Sequence, residues 1–204
     1  MKWAYFYHME QLSVITISFN NLKELQQTCN SVDSQTIPPH EHYIVDGSSN
    51  NEISEWLNKT PQPVYRKWIC ERDKGISDAF NKGINLVSGS IIHLLNSADV
   101  YYSNSVIEKV VNFYKQYPET QWTSGNIYMK RGGIWVNIGV PFDPNQLYKG
   151  MRAVSHPTWF VRKEVYQRVG QFSVDIKLAM DYDLMCRLKG EPYGYINETL
   201  IKFD

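Results

Sequence analysis

The chain alternates short apolar runs with stretches of helical periodicity. Residues 12–19 (LSVITISF) are rich in Val and Ile and stop at Asn20 and Asn21, which reads as a buried strand meeting a helix cap. Leu22, Leu25, Cys29 and Val32 then recur on one helical face, and Pro38-Pro39 closes the unit. HYIVD at 42–46 predicts a second strand, Ile53, Trp56 and Leu57 a short helix, and 64–69 a third strand. Ile76, Ala79, Phe80, Gly83, Ile84 and Val87 form a second helical stripe ending at Gly89, and 90–95 (SIIHLL) predicts a fourth strand. Strand and helix alternating in this way imply an α/β fold with a parallel sheet.

Past Asn96 the pattern changes gradually. Val106, Ile107, Val110, Val111 and Tyr114 predict a helix capped by Ser103 or Asn104. Segments 121–129 and 134–138 flank Lys130-Arg131-Gly132-Gly133, which has the spacing and turn chemistry of a hairpin. A strand at 159–161, helices at 163–169 and 179–189, and a last strand at 193–203 complete a mixed second half. No internal repeat or low-complexity linker divides the 204 residues, so one domain is expected over 1–204.

Composition narrows the function classes. Lys and Arg total 21 against 21 Asp and Glu, and the cations form no runs, so no basic field for nucleic acid is expected. Cys29, Cys70 and Cys186 are far apart and make no zinc spacing, which suggests reduced core thiols. No run approaches the roughly 18 apolar residues of a membrane span, and 1–11 (MKWAYFYHMEQ) lacks the core of a secretory signal, so the cytoplasm is the expected location. That segment reads equally as a peripheral strand, an interface segment or a leader before Met9.

Ligands of open parallel sheets bind beyond the carboxyl ends of the strands. Here those ends carry Ser18 and Asn20, then Asp46, then Glu71-Arg72-Asp73-Lys74-Gly75, then Asn96-Ser97-Ala98-Asp99. Turn-making and helix capping account for any one of these loops. Four in succession are harder to explain that way. The 179–189 helix adds a further carboxylate, because at about 100° per residue Asp181 falls within the stripe of Leu178, Tyr182, Met185 and Leu188. Asp183 lies opposite, facing Arg187 at i+4. A carboxylate on an apolar edge gains proton affinity and so suits a general base, although a buried cap is the plainer alternative.

The strings Ser18-Phe19-Asn20, Val45-Asp46-Gly47-Ser48-Ser49, Glu71 to Gly83 (ERDKGISDAFNKG) and Leu94-Leu95-Asn96-Ser97-Ala98-Asp99 resemble the family 2 glycosyltransferases, in order and spacing. His156-Pro157-Thr158 and Ala179-Met180-Asp181-Tyr182-Asp183-Leu184 extend the likeness, which covers 12–188 and is most specific over 71–83. The resemblance implies a GT-A fold, Rossmann-like and nucleotide-binding, with a mostly parallel central sheet flanked by helices. A nucleotide-sugar-binding half at 12–100 and a mixed acceptor-side half at 101–204 are expected. It also implies inverting transfer from a nucleotide-sugar donor, UDP-linked, to a saccharide or lipid-linked acceptor, as in bacterial polysaccharide assembly. Such an acceptor is compatible with peripheral association at the inner face of a membrane.

By the same resemblance, Ser18, Asn20, Asp46, Asp73 and Gly75 are expected at the nucleotide, with Arg72 and Lys74 as lesser candidates. Asp99 is expected at a divalent cation, Mn²⁺ or Mg²⁺, and Asp181 is expected to be the catalytic base. His156 is expected at the diphosphate or the acceptor, with a structural hydrogen-bonding role as the alternative. Ala98 departs from the pattern, since that position is usually acidic. A non-catalytic sugar-nucleotide-binding protein, degenerate at this motif, is the rival reading. Trp135, Tyr148 and Trp159 offer a platform for sugar rings, with two of the three as core or interface residues as the alternative.

Overall fold

The computed structural model describes residues 10–203, so most of the N-terminal aromatic segment lies outside the described residues. Four parallel strands form the first half: β1 (Leu12–Ser18), β2 (Glu41–Asp46), β3 (Arg66–Cys70) and β4 (Ile91–Leu94), in the order β3-β2-β1-β4. Helices α1 (Leu22–Asp33), α2 (Glu52–Lys59) and α3 (Ile76–Leu86) make the crossovers. Strand alternation sends Leu12 and Val14 of β1 into one core layer and Ile15 into the other, so both faces of the sheet need cover. Phe80 and Ile84 of α3 supply it on the Ile15 side. On the other side it comes from Val106, Ile107 and Val110 of α4 (Val106–Gln116).

The second half adds mixed pairing. The nine-stranded sheet continues through β8 (Phe160–Arg162), β6 (Trp122–Arg131), β9 (Tyr193–Phe203) and the two-residue β5 (Val100–Tyr101), with β7 (Ile134–Ile138) beside β6. β6 joins β7 through Gly132 (φ +59°) and Gly133 (φ +82°), and two successive residues at positive φ give the turn a tight hairpin requires. Helices α5 (Lys163–Val169) and α6 (Met180–Leu188) and the short helical turns Pro144–Lys149 and His156–Thr158 belong to this half as well.

Several expectations are corrected. The third strand starts at Arg66, because Val64 follows Pro63 and is fully exposed. The N-cap of α4 is Ser105, not Ser103 or Asn104. Leu178 lies outside the apolar stripe of α6: it is 86% exposed, and the left-handed Ala179 (φ +60°) breaks the chain just before Met180. All three cysteines are free, but only Cys29 is a buried core thiol; Cys70 is exposed and Cys186 intermediate.

β4 and β8 run antiparallel, with His93 opposite Phe160. The turn His156–Thr158 that enters β8 therefore stands at the same rim as the exits of β1, β2, β3 and β4. The sheet order thus gathers residues from 18 to 158 on one edge.

Candidate functional site

The first two strand exits are stitched together. Asn20, held at φ +53°, donates its backbone N–H to Ser48 Oγ (2.8 Å) and accepts from the Ser49 N–H at its Oδ1 (3.0 Å). Asp46 is only 2% exposed, and its Oδ1 accepts from Ser18 Oγ (3.2 Å) and from the N–H and hydroxyl of Ser48 (3.2 and 2.5 Å). Burial and then the Asp46 carboxylate beside it push the Cys70 thiol up to about 11. Asp46 thus lies behind the wall, locking two loops together, rather than facing outward.

Asp73 takes the outward place. Its Oδ1 accepts from the Gly75 N–H at 2.8 Å, which sets the turn before α3, where Gly75 stands at φ +117°. Its Oδ2 occupies the space beside Gly47, where a Cβ would come within 2.0 Å of it. A groove of about 480 Å³ opens here, lined among others by Ser18, Phe19, Asp73, Ile76, Asn96 and Ser97. Phe19 is 61% and Ile76 56% exposed, so two apolar side chains face the opening. An aromatic and an aliphatic side chain sharing a groove with a carboxylate can bind a flat heteroaromatic base and accept from its N–H. Arg72 and Lys74 do not line this groove. The main chain of both is held from α3, with the Arg72 carbonyl accepting from Lys82 Nζ and the Lys74 N–H donating to Asp78.

The loop after β4 is pinned by Thr28 of α1, whose Oγ1 accepts from the Ala98 N–H (3.1 Å) and donates to the Asp99 carbonyl (2.8 Å). Ala98 stands at φ +86°, a conformation that Asn and Asp tolerate better than Ala. Asp99 is 3% exposed, and burial raises its carboxyl from 3.8 to about 7. Its Oδ2 is buried without a hydrogen-bond partner, as are Asn96 Oδ1 and Ser97 Oγ. Buried oxygens seldom stay unpaired. A hard cation that takes one or two protein oxygens and keeps the rest of its shell from phosphate and water fits this set. Among the described residues no group of three His, Cys, Asp or Glu side chains could hold a metal by itself.

At the far end of the groove, a smaller cavity of about 300 Å³ shares Gly75 and Ile76 with the first and reaches Met180 of α6. Asp181 Oδ1 is also buried without a hydrogen-bond partner, 3.8 Å from His156 Nδ1. His156 is enclosed by the rings of Phe80, Trp159 and Phe172 at 5.1–5.7 Å. Burial lowers its basicity, and the Asp181 charge opposes that. Asp183 pairs with Arg187 (2.7 Å), and Arg187 also donates to the carbonyls of Val169, Gly170 and Gln171. The ion pair expected from the spacing therefore fastens the segment leading to α6.

Of the three aromatics weighed as sugar platforms, Trp159 is 98% buried and part of the core, a role that leaves no open face. Trp135 stacks on Tyr128 at 4.9 Å, and Tyr148 is exposed. The groove walls Phe19 and Ile76 were not singled out from the sequence. The available signal was an apolar residue just after β1 and another at the first position of α3, where polar residues are the norm.

Residues 13–170 match the model of the family described as Glycosyl transferase family 2. An uncharacterized glycosyltransferase of Mycobacterium tuberculosis is 30% identical over 197 residues, covering 95% of this chain and 74% of the relative. The structure of Staphylococcus aureus TarS 1-349 in complex with UDP-GlcNAc is similar at a TM-score of 0.69 and 16% identity, covering 94% of this chain and 58% of that one. The mannosyltransferase PcManGT of Pyrobaculum calidifontis, in complex with GDP-Man and Mn²⁺, gives a TM-score of 0.65 at 14% identity, over 94% of this chain and 56% of that one. The expected GT-A architecture is thus the observed one.

Proposed function

Because the chain belongs to the family 2 glycosyltransferases, we propose that it moves a sugar from a UDP-linked donor to a hydroxyl acceptor, with inversion at the anomeric carbon. The carrying observation is a groove of about 480 Å³ at the strand exits lined by Asp73, Asn96 and Ser97, with Asp99 on the loop that continues from Ser97 and Asp181 beside His156. Asp73 accepts from the base N–H between Phe19 and Ile76, while Ser18, Asn20 and Asp46 hold the two loops that shape the groove. Gly75 gives the diphosphate side its close approach at the start of α3. Asp99 Oδ2, with Asn96 and Ser97 nearby, would hold Mn²⁺ or Mg²⁺, as the complexes of similar structures suggest by analogy. When bound, such an ion offsets charge on the departing diphosphate.

Asp181 works on the opposite side of the sugar. With Oδ1 buried against His156 and the side chain 32% exposed, Asp181 takes the proton of the acceptor hydroxyl at Oδ2 as that oxygen bonds to the anomeric carbon, and the bond to the diphosphate breaks with its electron pair leaving on the phosphate oxygen. In-line attack then inverts the carbon. His156, buried and 3.8 Å away, restricts the orientations open to Asp181. The acceptor is a saccharide or a lipid-linked sugar in surface polysaccharide assembly. No helix among the described residues is long and apolar enough to cross a membrane, and the proposed setting is the inner membrane face.

A screen of nucleotide sugars and acceptors read by product mass tests this. One donor should give a product with wild type, and Asp181→Asn should abolish transfer while leaving UDP affinity within a few fold. An active Asn variant would remove Asp181 from the role. Ala98 favours the rival reading of a non-catalytic binder, which predicts UDP binding without transfer and without response to metal.

A further inference from the structure

One polar residue at the centre of β4 is left unused by this chemistry. His93 is fully buried against the rings of Phe160 (centroids 4.1 Å, planes 19° apart) and Tyr101 (5.4 Å, 28°). Its Nε2 lies 2.9 Å from the Pro157 carbonyl oxygen, which can only accept, so Nε2 carries the proton. Nδ1 then holds a lone pair and accepts from the Tyr101 hydroxyl at 2.8 Å. Burial drives the basicity of His93 down to about 3, so the ring stays neutral throughout the working range of pH.

The two partners belong to different segments of the proposed site. Tyr101 follows Asp99 by two residues on β5, and Pro157 follows His156, the neighbour of Asp181. We propose that His93 is a positioning residue, a rigid strut whose two hydrogen bonds fix the Asp99 loop and the His156–Asp181 pair at the separation sugar transfer requires. The inference rests on the transfer reaction proposed above. Packing alone does not call for imidazole here, because Phe would keep the ring contacts with Phe160 and Tyr101. It would also leave the buried Tyr101 hydroxyl and the part-buried Pro157 carbonyl without a partner, so both segments would be driven to shift.

The test compares His93→Phe, which keeps the stacking, with His93→Gln, which keeps one donor and one acceptor, in the whole chain. Histidine labelled with ¹³C and ¹⁵N reports the five imidazoles, and His156→Gln identifies the His156 signals by their loss. We expect His93→Phe to move the His156 resonances, to leave UDP affinity nearly unchanged, and to lower kcat by about 10- to 100-fold, the scale of a displacement of about 1 Å. His93→Gln should keep the His156 resonances and most of kcat. If His93→Phe does not fold, Tyr101→Phe removes one of the two hydrogen bonds with the stacking intact and should move the same signals. Unchanged His156 resonances in the Phe variants, or a Gln variant worse than Phe in kcat, would overturn the proposal. Asp181→Asn separates the two ideas: if it remains active the base assignment fails, yet the His156 signals still decide the role of His93.

Discussion

Replacing Asp99 by Asn removes a charge that the fold holds against its own desolvation. Burial is the cause that lifts this carboxyl from 3.8 to about 7, and Oδ2 has no hydrogen bond to offset it. Between those values the native protein keeps a proton that the unfolded chain has released, so stability falls as pH rises from about 4 towards 7 and levels off above that. At about 1.4 kcal/mol per pH unit, the ionised side chain costs about 4 kcal/mol at pH 8 and well under 1 kcal/mol at pH 4. Urea unfolding of wild type and Asp99→Asn in EDTA, at intervals from pH 4 to 8, measures the difference directly. The Asn variant should gain on wild type by a margin that grows through this range and then stops growing. Mn²⁺ with UDP should reverse the order, stabilising wild type more at pH 8 than at pH 6 and the variant little at either, since a metal ligand must be deprotonated. Parallel profiles for the two proteins in EDTA would refute the claim that Asp99 is desolvated and unpaired.

Gly47→Ala should act on a residue it does not replace. The new Cβ would meet Asp73 Oδ2 at 2.0 Å and displace that carboxylate, so UDP affinity should drop about 10-fold or more, as for Asp73→Asn, with little loss of stability; an unchanged affinity would place the base elsewhere. Ala98→Gly should raise stability by about 1 kcal/mol in urea unfolding, because it relieves a left-handed Ala at φ +86°. Ala98→Asp should fold normally and strengthen the Mn²⁺ dependence of UDP binding, and no change would mean that this side chain does not reach the ion.

The first half of the fold was legible because its signals are local. The β-branched run ending at Ser18, the stripe of Ala79, Phe80, Ile84 and Val87, from which the exposed Ile76 drops out, and the turn residues at each strand exit fix a parallel βαβ series with little dependence on distant partners. The second half was legible in its elements but not in their arrangement. Nothing in 193–203 announces that β9 pairs parallel with β6 while β5 closes the edge antiparallel to it, because such pairing is set by long-range packing. The site followed the same division. Which loops carry the polar groups could be read from spacing, but not which way each carboxylate turns. Asp46 faces inward because Ser18 and Ser48 supply it with donors, and Asp73 faces outward because Gly47 leaves it room. His93 stood inside an apolar run, where a polar residue signals a buried partner without naming it.

The most direct test of the central claim is calorimetric titration of the whole chain with UDP, in Mn²⁺ and again in EDTA. A nucleotide groove lined by Asn96 and Ser97, with Asp99 proposed to hold the ion beside it, predicts binding in both, tighter by at least 10-fold with Mn²⁺ on the scale of a charge-assisted contact of about 1.5–3 kcal/mol. Equal affinity with and without the ion would contradict the assignment of Asp99, and no binding in either would contradict the site itself.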